Sequence, residues 1–321
     1  MAQTQLRSGF SQIHIIEEGT TGAHQAPADN GTGMFMVHVD GISYDSPNFE
    51  PVYDRADSFS MDEIPGPCSA TISFSFPLKH AGSAVAPKTD PFWKACGMAI
   101  TTTTYNPTST FDSAGGNPHY SYSCSILQDG IRYAVRGAFG DFSIAANAGE
   151  PAMVSGTMTG AYETIATDAT EAAVYDPSIA PAFMGASMAI DGGATRVGMK
   201  AFDFALGNKI QIGKDANHAS GIYGARITGR KSSGSVTVET DLTRTVADAV
   251  TWRAGTAGAF TTGAIGPSAN NRWTLTCARV VKRAPEFSDN DGIGNVKWGF
   301  GVGSLPTDVE GTNDDVSLIF A

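Results

Sequence analysis

Apolar and polar residues alternate through much of this chain, with the two-residue period that is typical of β-strands. One strand is predicted from Met34, in MFMVHVDGISY, and another in PGPCSATISFSFPL. The second strand has an apolar face formed by Ile72, Phe74 and Phe76. Its opposite face is polar and is formed by Thr71, Ser73 and Ser75. We therefore expect a sheet with one face buried against the core and one face exposed to solvent.

Two long hairpins punctuated by glycine follow the same alternation. The first runs from Asp129 to Tyr162 and bends at Gly149, Glu150 and Pro151. The second runs from Asn271 to Leu305 and bends in DNDGIGN. Strand arms of this length, joined by turn residues, predict two large antiparallel hairpins in different halves of the chain.

Helical patterns are limited to two short segments. In DPFWKACGMAI, Asp90 is suited to cap a helix that Pro91 opens. That helix would bury four apolar side chains, those of Phe92, Trp93, Cys96 and Met98. The second helix is predicted in ADAVTWRAG, from Ala247 to Gly255. The chain is therefore mainly β, with one short helix in each half.

The two halves share an order of strand, helix with loop, strand and hairpin. Setting CSATISFSF over GSVTVETDL pairs Ser69 with Ser235, and the hairpin ends pair Gly160 with Gly303. Such a correspondence predicts an internal duplication. Two unrelated β-sandwiches with a similar rhythm remain the alternative.

Composition and length divide the chain into four parts. Residues 1–33 are polar and lack a sustained period, which predicts an extended N-terminal arm. A first β domain follows over 34–162, an Ala-rich linker with two prolines over 163–182, and a second β domain over 183–321. A chain of 321 residues is long enough for two domains of ordinary size.

The charge is acidic and unevenly distributed. The formal net charge is −11, and residues 1–170 carry 7 Lys and Arg against 17 Asp and Glu. Such a chain is not expected to bind nucleic acid tightly, since affinity for phosphates needs clustered Lys and Arg. The N-terminus lacks a basic segment followed by an apolar run, so we expect a soluble protein that no signal peptide exports.

Motifs that resemble reactive or ligand sites weaken on inspection. GNKIQIGKD departs from the spacing of a phosphate loop, and SDNDGIG lacks the closing Glu of a calcium loop. Asp62 and Glu63 are neighbours that a strand would point to opposite sides. The four cysteines are too far apart for a zinc knuckle, which predicts reduced, mostly buried thiols. We predict no catalytic residue, no metal ligand and no cofactor, so the chain is not an enzyme.

The hairpin GAFGDFSIAANAGEPAMVSGTMTGAY resembles the closing hairpin of major tail tube proteins of long, non-contractile phage tails. In that family a Gly-rich strand, a turn containing Glu-Pro and a strand ending in Gly-x-Tyr recur. ALGNKIQIG and ITGRKSSGSVTVETDL are similar to the family's Gly-Asn turn and Gly-Ser-x-Thr strand. The resemblance spans about residues 34–162 and 183–321, although the second bend, DNDGIGNVKW, departs from the Glu-Pro form.

The resemblance implies two tandem β-sandwich or barrel-like tube domains, whose inner strands close one large barrel together with neighbouring subunits. Family tubes have six domains per ring, so three two-domain chains would form a ring with pseudo-sixfold symmetry. Such rings stack into a tube that delivers DNA, in a virion tail assembled in the bacterial cytoplasm. The implied partners are further copies of the chain, a tape measure protein, a tail terminator and a distal tail protein. DNA would pass transiently without specific binding, and the chain would not enter a membrane.

The polar faces of the predicted strands supply the residues expected to line the bore of such a tube. On these faces the candidates are Thr71, Ser73, Ser75, Thr237, Glu239 and Asp241, with Asp129, Asp141 and Glu150 at or near the hairpins. An acidic or neutral wall offers DNA no ion pairs. The alternative is that these side chains form the solvated outer face of a sandwich.

Two other functions stay open at this point. A carbohydrate-binding or adhesive β-sandwich of a tail tip or surface would need exposed aromatic side chains, whereas Trp93, Trp252, Trp273 and Trp298 lie in patterns that predict burial. The inner tube of a contractile tail is a third possibility. The arm over 1–33 and the loop from Lys79 to His119 are the predicted contacts between rings.

Overall fold

The fold is known from a computed structural model. It describes residues 11–26, 33–51, 62–80, 86–101, 103–107, 120–168, 178–191, 198–218, 220–267, 271–290, 292–303 and 315–321.

The first half contains strands β1 to β12 and helix α1. Their bounds are β1 Ser11–Glu17, β2 Met34–Phe35, β3 His38–Asp45, β4 Asn48–Phe49, β5 Ile64–Pro65, β6 Ser69–Pro77, α1 Asp90–Ala95, β7 Met98–Thr101, β8 Thr104–Pro107, β9 Tyr122–Gln128, β10 Ile131–Asn147, β11 Met153–Tyr162 and β12 Ala166–Thr167.

The second half contains strands β13 to β21 and helix α2. Their bounds are β13 Ala189–Ile190, β14 Met199–Ala205, β15 Asn208–Lys214, β16 Ile222–Arg230, β17 Ser233–Glu239, α2 Leu242–Ala254, β18 Ala257–Thr261, β19 Trp273–Asn290, β20 Ile293–Val302 and β21 Val316–Phe320. The protein is therefore mainly β, as the alternation predicts.

The central feature of the fold is an antiparallel sheet of eight strands. Four come from the first half, in the order β3, β6, β11, β10. Four come from the second half, in the order β14, β17, β20, β19. Strands β10 and β14 pair with each other and join the two sets into one sheet. The same strand order thus occurs twice.

Each set ends in a long, bent strand that belongs partly to the eight-stranded sheet and partly to a second layer of strands. That second layer includes β9 in the first half and β18 and β21 in the second half. The first part of β10 pairs with β9, and its last part pairs with β11 and β14. Likewise the first part of β19 pairs with β18 and β21, and its last part with β20. The β10–β11 register shifts between Arg136 and Phe139, and the β19–β20 register between Lys282 and Pro285. These bulges bend each strand from one layer into the other.

One apolar core lies between the layers and extends through both halves. It includes the fully buried Trp93, Phe204 and Phe300. The C-terminal strand β21 pairs with β8 as well as β19, with Leu318 opposite Tyr105, so it also connects the halves. Hairpin β15–β16 forms a separate two-stranded sheet that packs against the large one, with Ile227 and Ala225 on Phe139 of β10.

Both predicted hairpins are present, and both predicted helices form. All four side chains predicted to be buried near α1, those of Phe92, Trp93, Cys96 and Met98, are buried. The N-cap of α1 is Thr89 rather than Asp90, which instead accepts a hydrogen bond from the Tyr105 hydroxyl at 2.8 Å. Helix α2 begins at Leu242, five residues before the predicted Ala247, because Asp241 caps it there.

Two predicted segments differ from the structure. The single strand predicted from Met34 is divided into β2 and β3. The segment 1–33 is not uniformly an arm, because β1 pairs with β9 along its whole length and buries Ile13 and Ile15. Residues 1–10 and 27–32 of that segment lie outside the described residues, as do 81–85, 102 and 108–119 of the predicted ring-contact loop and 169–177 of the predicted linker.

The strand pairings correct the alignment of the two repeats. In both sets the first strand has a register shift at the same place, after Val39 in β3 and after Met199 in β14. Superposing these shifts pairs Ile72 with Val236 and Ser69 with Ser233, two residues from the predicted Ser235. It also pairs Gly160 with Phe300 rather than with the predicted Gly303. The prediction was wrong because Ser and Thr alternate through both strands, so a two-residue slip preserves the polar face.

The cap of α2 is well defined. The Asp241 carboxylate accepts hydrogen bonds from the backbone N–H groups of Thr243, at 3.0 Å, and Arg244, at 2.7 Å. Gly255 ends the helix in the left-handed conformation, with φ of 63°.

We predict that Asp241→Ala lowers the free energy of unfolding by about 1 kcal/mol, because two N–H groups lose their acceptor. Asp241→Asn keeps a capping oxygen and is the matched control, expected to unfold close to the wild type. Urea titration of dispersed protein, followed by circular dichroism, measures both. Equal stability of the alanine variant and the wild type would show that the cap contributes nothing.

Candidate functional site: a polar sheet face and two open edges

The eight-stranded sheet has one face against the core and one polar face. In β6 the buried residues alternate with Thr71, Ser73 and Ser75, which lie together on the polar face as the sequence predicts. Their neighbours across β11 are also hydroxyl residues, and Thr71 and Thr159 share a hydrogen bond of 3.0 Å. The Ser75 hydroxyl donates to the Asp40 carboxylate at 3.3 Å, so this part of the face is polar and carries one negative group.

The polar face continues across the second set of strands. Thr237 of β17 lies opposite Lys297 of β20, and Glu239 opposite Asn295. Glu239 also lies 3.5 Å from the Lys200 ammonium, and the Ser235 hydroxyl donates to Asp203 at 3.1 Å. The predicted Thr237 and Glu239 therefore share one sheet face with Thr71, Ser73 and Ser75.

Asp141 lies on this face at the end nearest the β15–β16 hairpin. It pairs with Thr157, which in turn pairs with Ser73. The backbone N–H of Asn208 donates to its carboxylate at 3.0 Å. Burial raises the pKa of Asp141, and the backbone donation from Asn208 opposes that rise. Asp141 therefore anchors the root of the hairpin as well as contributing to the face.

Three predicted residues lie away from the polar face. Asp129 is in the turn between β9 and β10, with φ of 45°. Glu150 is in the turn between β10 and β11, where its carboxylate accepts from Asn147 at 2.9 Å. Asp241 lies beyond the end of β17 and caps α2. The structure thus brings six of the nine candidates together and separates these three.

The charges of the face are mainly negative. Its negative groups are the carboxylates of Asp40, Asp141, Asp203, Glu239 and Glu286, and its positive groups are Lys200, Arg283 and Lys297. Across the part of the chain that the structure describes, no group of three His, Cys, Asp or Glu side chains is placed to hold a metal ion. Hydroxyl groups and carboxylates arranged in this way repel a phosphate backbone rather than bind it.

The second feature of the site is a pair of open sheet edges. In the described ranges, β3 pairs on one side only, with β6, and residues 282–290 of β19 pair on one side only, with β20. Unpaired N–H and C=O groups along such edges are templates for a further strand. The ends of the eight-stranded sheet therefore remain available for pairing.

Apolar side chains at these edges are exposed, although their counterparts inside the sheet are buried. Phe142 of β10 is 2% exposed and packs against Phe204, which is 1% exposed, with ring centroids 6.3 Å apart. The equivalent residues of the other repeat are Phe287 of β19, 64% exposed, and Tyr44 of β3, 41% exposed. Tyr44 contacts the Tyr162 ring edge to face, with centroids 5.5 Å apart, but its outer side is exposed, as is Phe287 at the other edge.

The alternation of residues predicted the polar face but not these edges. The aromatic residues Phe287 and Tyr44 occupy core-facing positions, so the pattern alone assigns them to the interior. A strand order taken from correctly aligned repeats was the signal that would have placed β3 and β19 at opposite ends of one sheet.

Two comparisons complete the description. A search of curated proteins found no matching sequence. None of the helices in the described ranges is long and apolar enough to cross a membrane. The profile of one family, described as phage tail tube protein, matches residues 11–316. A match across nearly the whole chain, together with a mainly β fold that has a polar face and open edges, shows that the chain belongs to the phage tail tube protein family.

Proposed function

We propose that this protein is the major tube subunit of a long, non-contractile phage tail, and that three copies form each ring. Each chain contributes two tandem tube domains, over 34–162 and 183–321, so the ring has pseudo-sixfold symmetry. Rings stack into a tube through which DNA leaves the capsid. The observation that carries this proposal is the β10–β14 joint, because it is a domain-to-domain seam already formed inside one chain.

The joint supplies a template for the contact between chains. At the joint, Ser143 lies opposite Ala205 and Ile144 opposite Phe204. The matching register shifts make Ser288 the counterpart of Ser143, and Asp45 the counterpart of Ala205. Repeating the joint between two chains therefore places Ser288 of one copy opposite Asp45 of the next, and Phe287 beside Tyr44. All pairings of the sheet are antiparallel, and this added pairing continues that pattern.

Ring closure would give hydrogen-bond partners to the unpaired backbone groups of the two edges. An edge strand that is left open loses hydrogen bonds and invites aggregation, whereas a closed barrel has no edge. Three sheets of eight strands would close a barrel of 24 strands around a wide bore. The aromatic pair and the paired backbone together give each seam both an apolar and a hydrogen-bonded part.

In such a ring the polar face lines the bore, because the opposite face of the sheet packs on the core. The hydroxyl rows around Ser73 and the carboxylates of Asp203 and Glu239 would then meet the passing DNA. DNA that finds no clustered cations forms no lasting ion pairs, so it moves rather than binds. The tape measure protein, the tail terminator and the distal tail protein are the partners expected within the bore and at the two ends of the tube.

The adhesive function is less well supported. Trp93, Trp273 and Trp298 are each at most 1% exposed, so they form no platform for a sugar ring. Trp252, which was also predicted to be buried, is half-buried against the core. Glycan-array binding by the dispersed protein would favour that function. The inner tube of a contractile tail shares the ring architecture. Particles whose tails have a sheath would indicate that function, whereas tails without a sheath agree with our proposal.

We expect electron microscopy of particles to show rings of three chains with pseudo-sixfold density. Averaged cross-sections of the tail, with the chain identified by mass spectrometry of purified tails, test this. Tails that lack the chain, or rings of six chains, would contradict the proposal. Particles are the appropriate sample, because polymerisation of the isolated protein can depend on other tail proteins.

We predict that Ser288→Cys and Asp45→Cys in one chain form disulfides between chains on mild oxidation. Phe142 and Leu206 form the hydrogen-bonded pair at the joint, at 3.0 Å, so the next pair, Ser143 and Ala205, is the close, non-bonded one. Its Cα separation of ~4.5 Å suits a disulfide. Non-reducing gels of assembled tubes should show linked chains that reductant separates.

The matched control combines Ser288→Cys with Tyr44→Cys, one residue out of register and on the opposite face, and should not link. Cys68→Ser provides the background, since Cys68 is the native thiol that is not fully buried. Linking only in the control pair, in tubes that look normal, would overturn the register while leaving the tube function intact.

We predict that Ser73→Lys leaves tubes assembled but slows the release of DNA, because three ammonium groups per ring would hold phosphates. DNA release from particles, triggered in vitro and followed with a fluorescent dye, measures the rate. The slowing should diminish as salt is raised. Ala247→Lys, on the exposed surface of α2, adds the same charge as a control. Equal rates for the wild type and both variants would remove Ser73 from the bore.

A further inference from the structure

A buried lysine with two carboxylates lies at the bulge of β19. The Lys282 side chain is 1% exposed, and its ammonium nitrogen donates to Asp248 of α2 at 2.7 Å. The same nitrogen directly contacts Oδ2 of Asp191 and donates to the Thr251 hydroxyl at 3.2 Å. The Trp298 ring centroid lies 5.5 Å from it. The amine is thus held between two acids against an aromatic wall.

Asp191 is held in an unusual conformation. Its φ is 66°, a left-handed value that non-glycine residues rarely adopt. Gly258 packs so closely that a Cβ there would collide with the Asp191 Cα. The Oδ1 atom of Asp191 is buried and has no hydrogen-bond partner within the described ranges. One carboxylate oxygen therefore faces the amine, while the other is left unsatisfied, which costs free energy.

We propose that Lys282 and Asp191 become joined by an intramolecular amide bond, with Asp248 as the proton carrier. The ammonium proton passes to Asp248, and the neutral Nζ attacks Cγ of Asp191. The C–N bond forms and the nitrogen then gives up a second proton. Asp248 passes both protons to one Asp191 oxygen, and the C–O bond to that oxygen breaks so that it leaves as water. One ammonium and one carboxylate thus become one amide and one water, with no oxidant or cofactor. This inference goes beyond the tube function and does not depend on it.

The burial of the cluster favours this reaction. Two carboxylates and one ammonium place three charges largely out of water, which is costly. A lysine amine removed from water is a better nucleophile, and an adjacent acid can act as its base. Joining Lys282 to Asp191 removes one buried charge of each sign. The Asp191 side chain is 18% exposed, so the water that is released has a short path to solvent.

The bond would have a mechanical role. Asp191 follows β13, which pairs with β18, and β18 pairs with β19, which carries Lys282. An amide would therefore join the end of β13 to β19 covalently, across β18, and close a loop from residue 191 to residue 282. Cross-links of this kind limit the freedom of the unfolded chain, as disulfides do. All four cysteines are free thiols, so the chain obtains no such link from disulfides.

Among the described residues, the first repeat has no lysine at the equivalent position. The position equivalent to Lys282 is Gly137, whose N–H donates to Glu18 at 2.7 Å. The reaction is therefore specific to the second repeat, and one bond per chain is expected.

Intact-mass measurement of the denatured full chain tests the proposal. The wild type should be lighter than its sequence mass by one water, and proteolysis should yield a branched peptide that joins the segments around Asp191 and Lys282. Asp248→Asn keeps both reacting groups but removes the base, so a large part of that chain should keep its full mass. Lys297→Arg, on the polar face, is the matched control and should lose water as the wild type does.

Asp191 precedes Gly192, and an Asp-Gly pair can also lose water as a cyclic imide. Lys282→Arg separates the two reactions, because it abolishes the amide and leaves the imide possible. The proposal predicts full mass for Lys282→Arg. A wild type of full sequence mass, or a loss of water that persists in Lys282→Arg, would overturn it and identify the cluster as a buried ion pair.

Discussion

The structure depends on the requirement that backbone N–H and C=O groups removed from water find partners. The six inner strands of the large sheet meet it on both sides, because each lies between two neighbours. Strands β3 and β19 meet it on one side within the described residues. The chain solves the problem once internally, by pairing β10 with β14. The contact that we propose between chains repeats the same pairing at the two open edges.

The long strands β10 and β19 add a second constraint. Each must cross from one layer to the other, and each does so at a bulge that exposes backbone groups in the interior. At the first bulge, buried Glu18 accepts from the N–H of Gly137 and from the hydroxyls of Ser121 and Ser123. At the second bulge, Lys282 lies between Asp191 and Asp248. Equivalent places in the two repeats thus carry polar clusters of different chemistry, and the reaction we propose belongs to the second.

The polar face and the open edges both depend on what covers the rest of the sheet. The face can remain polar because the opposite face supplies the core, and the edges can carry exposed Phe287 and Tyr44 because a neighbour covers them in the ring we propose. Hairpin β15–β16 shows the same principle within the chain, since a segment inserted between β14 and β17 reaches back to cover Phe139 of the first repeat. Contacts of each repeat are therefore partly supplied by the next.

Local sequence determined much of this protein. Alternation placed Thr71, Ser73 and Ser75 on one face, turn residues set both hairpins, and Pro91 and Gly255 marked helix ends. Local sequence did not determine which strands are neighbours, because backbone edges are chemically alike and any strand can pair with any other. It also missed the burial of β1, the two-residue slip between the repeats and the capping role of Asp241. Only the tertiary structure brought Lys282, Asp191 and Asp248 together, because they come from three distant segments that no periodicity connects.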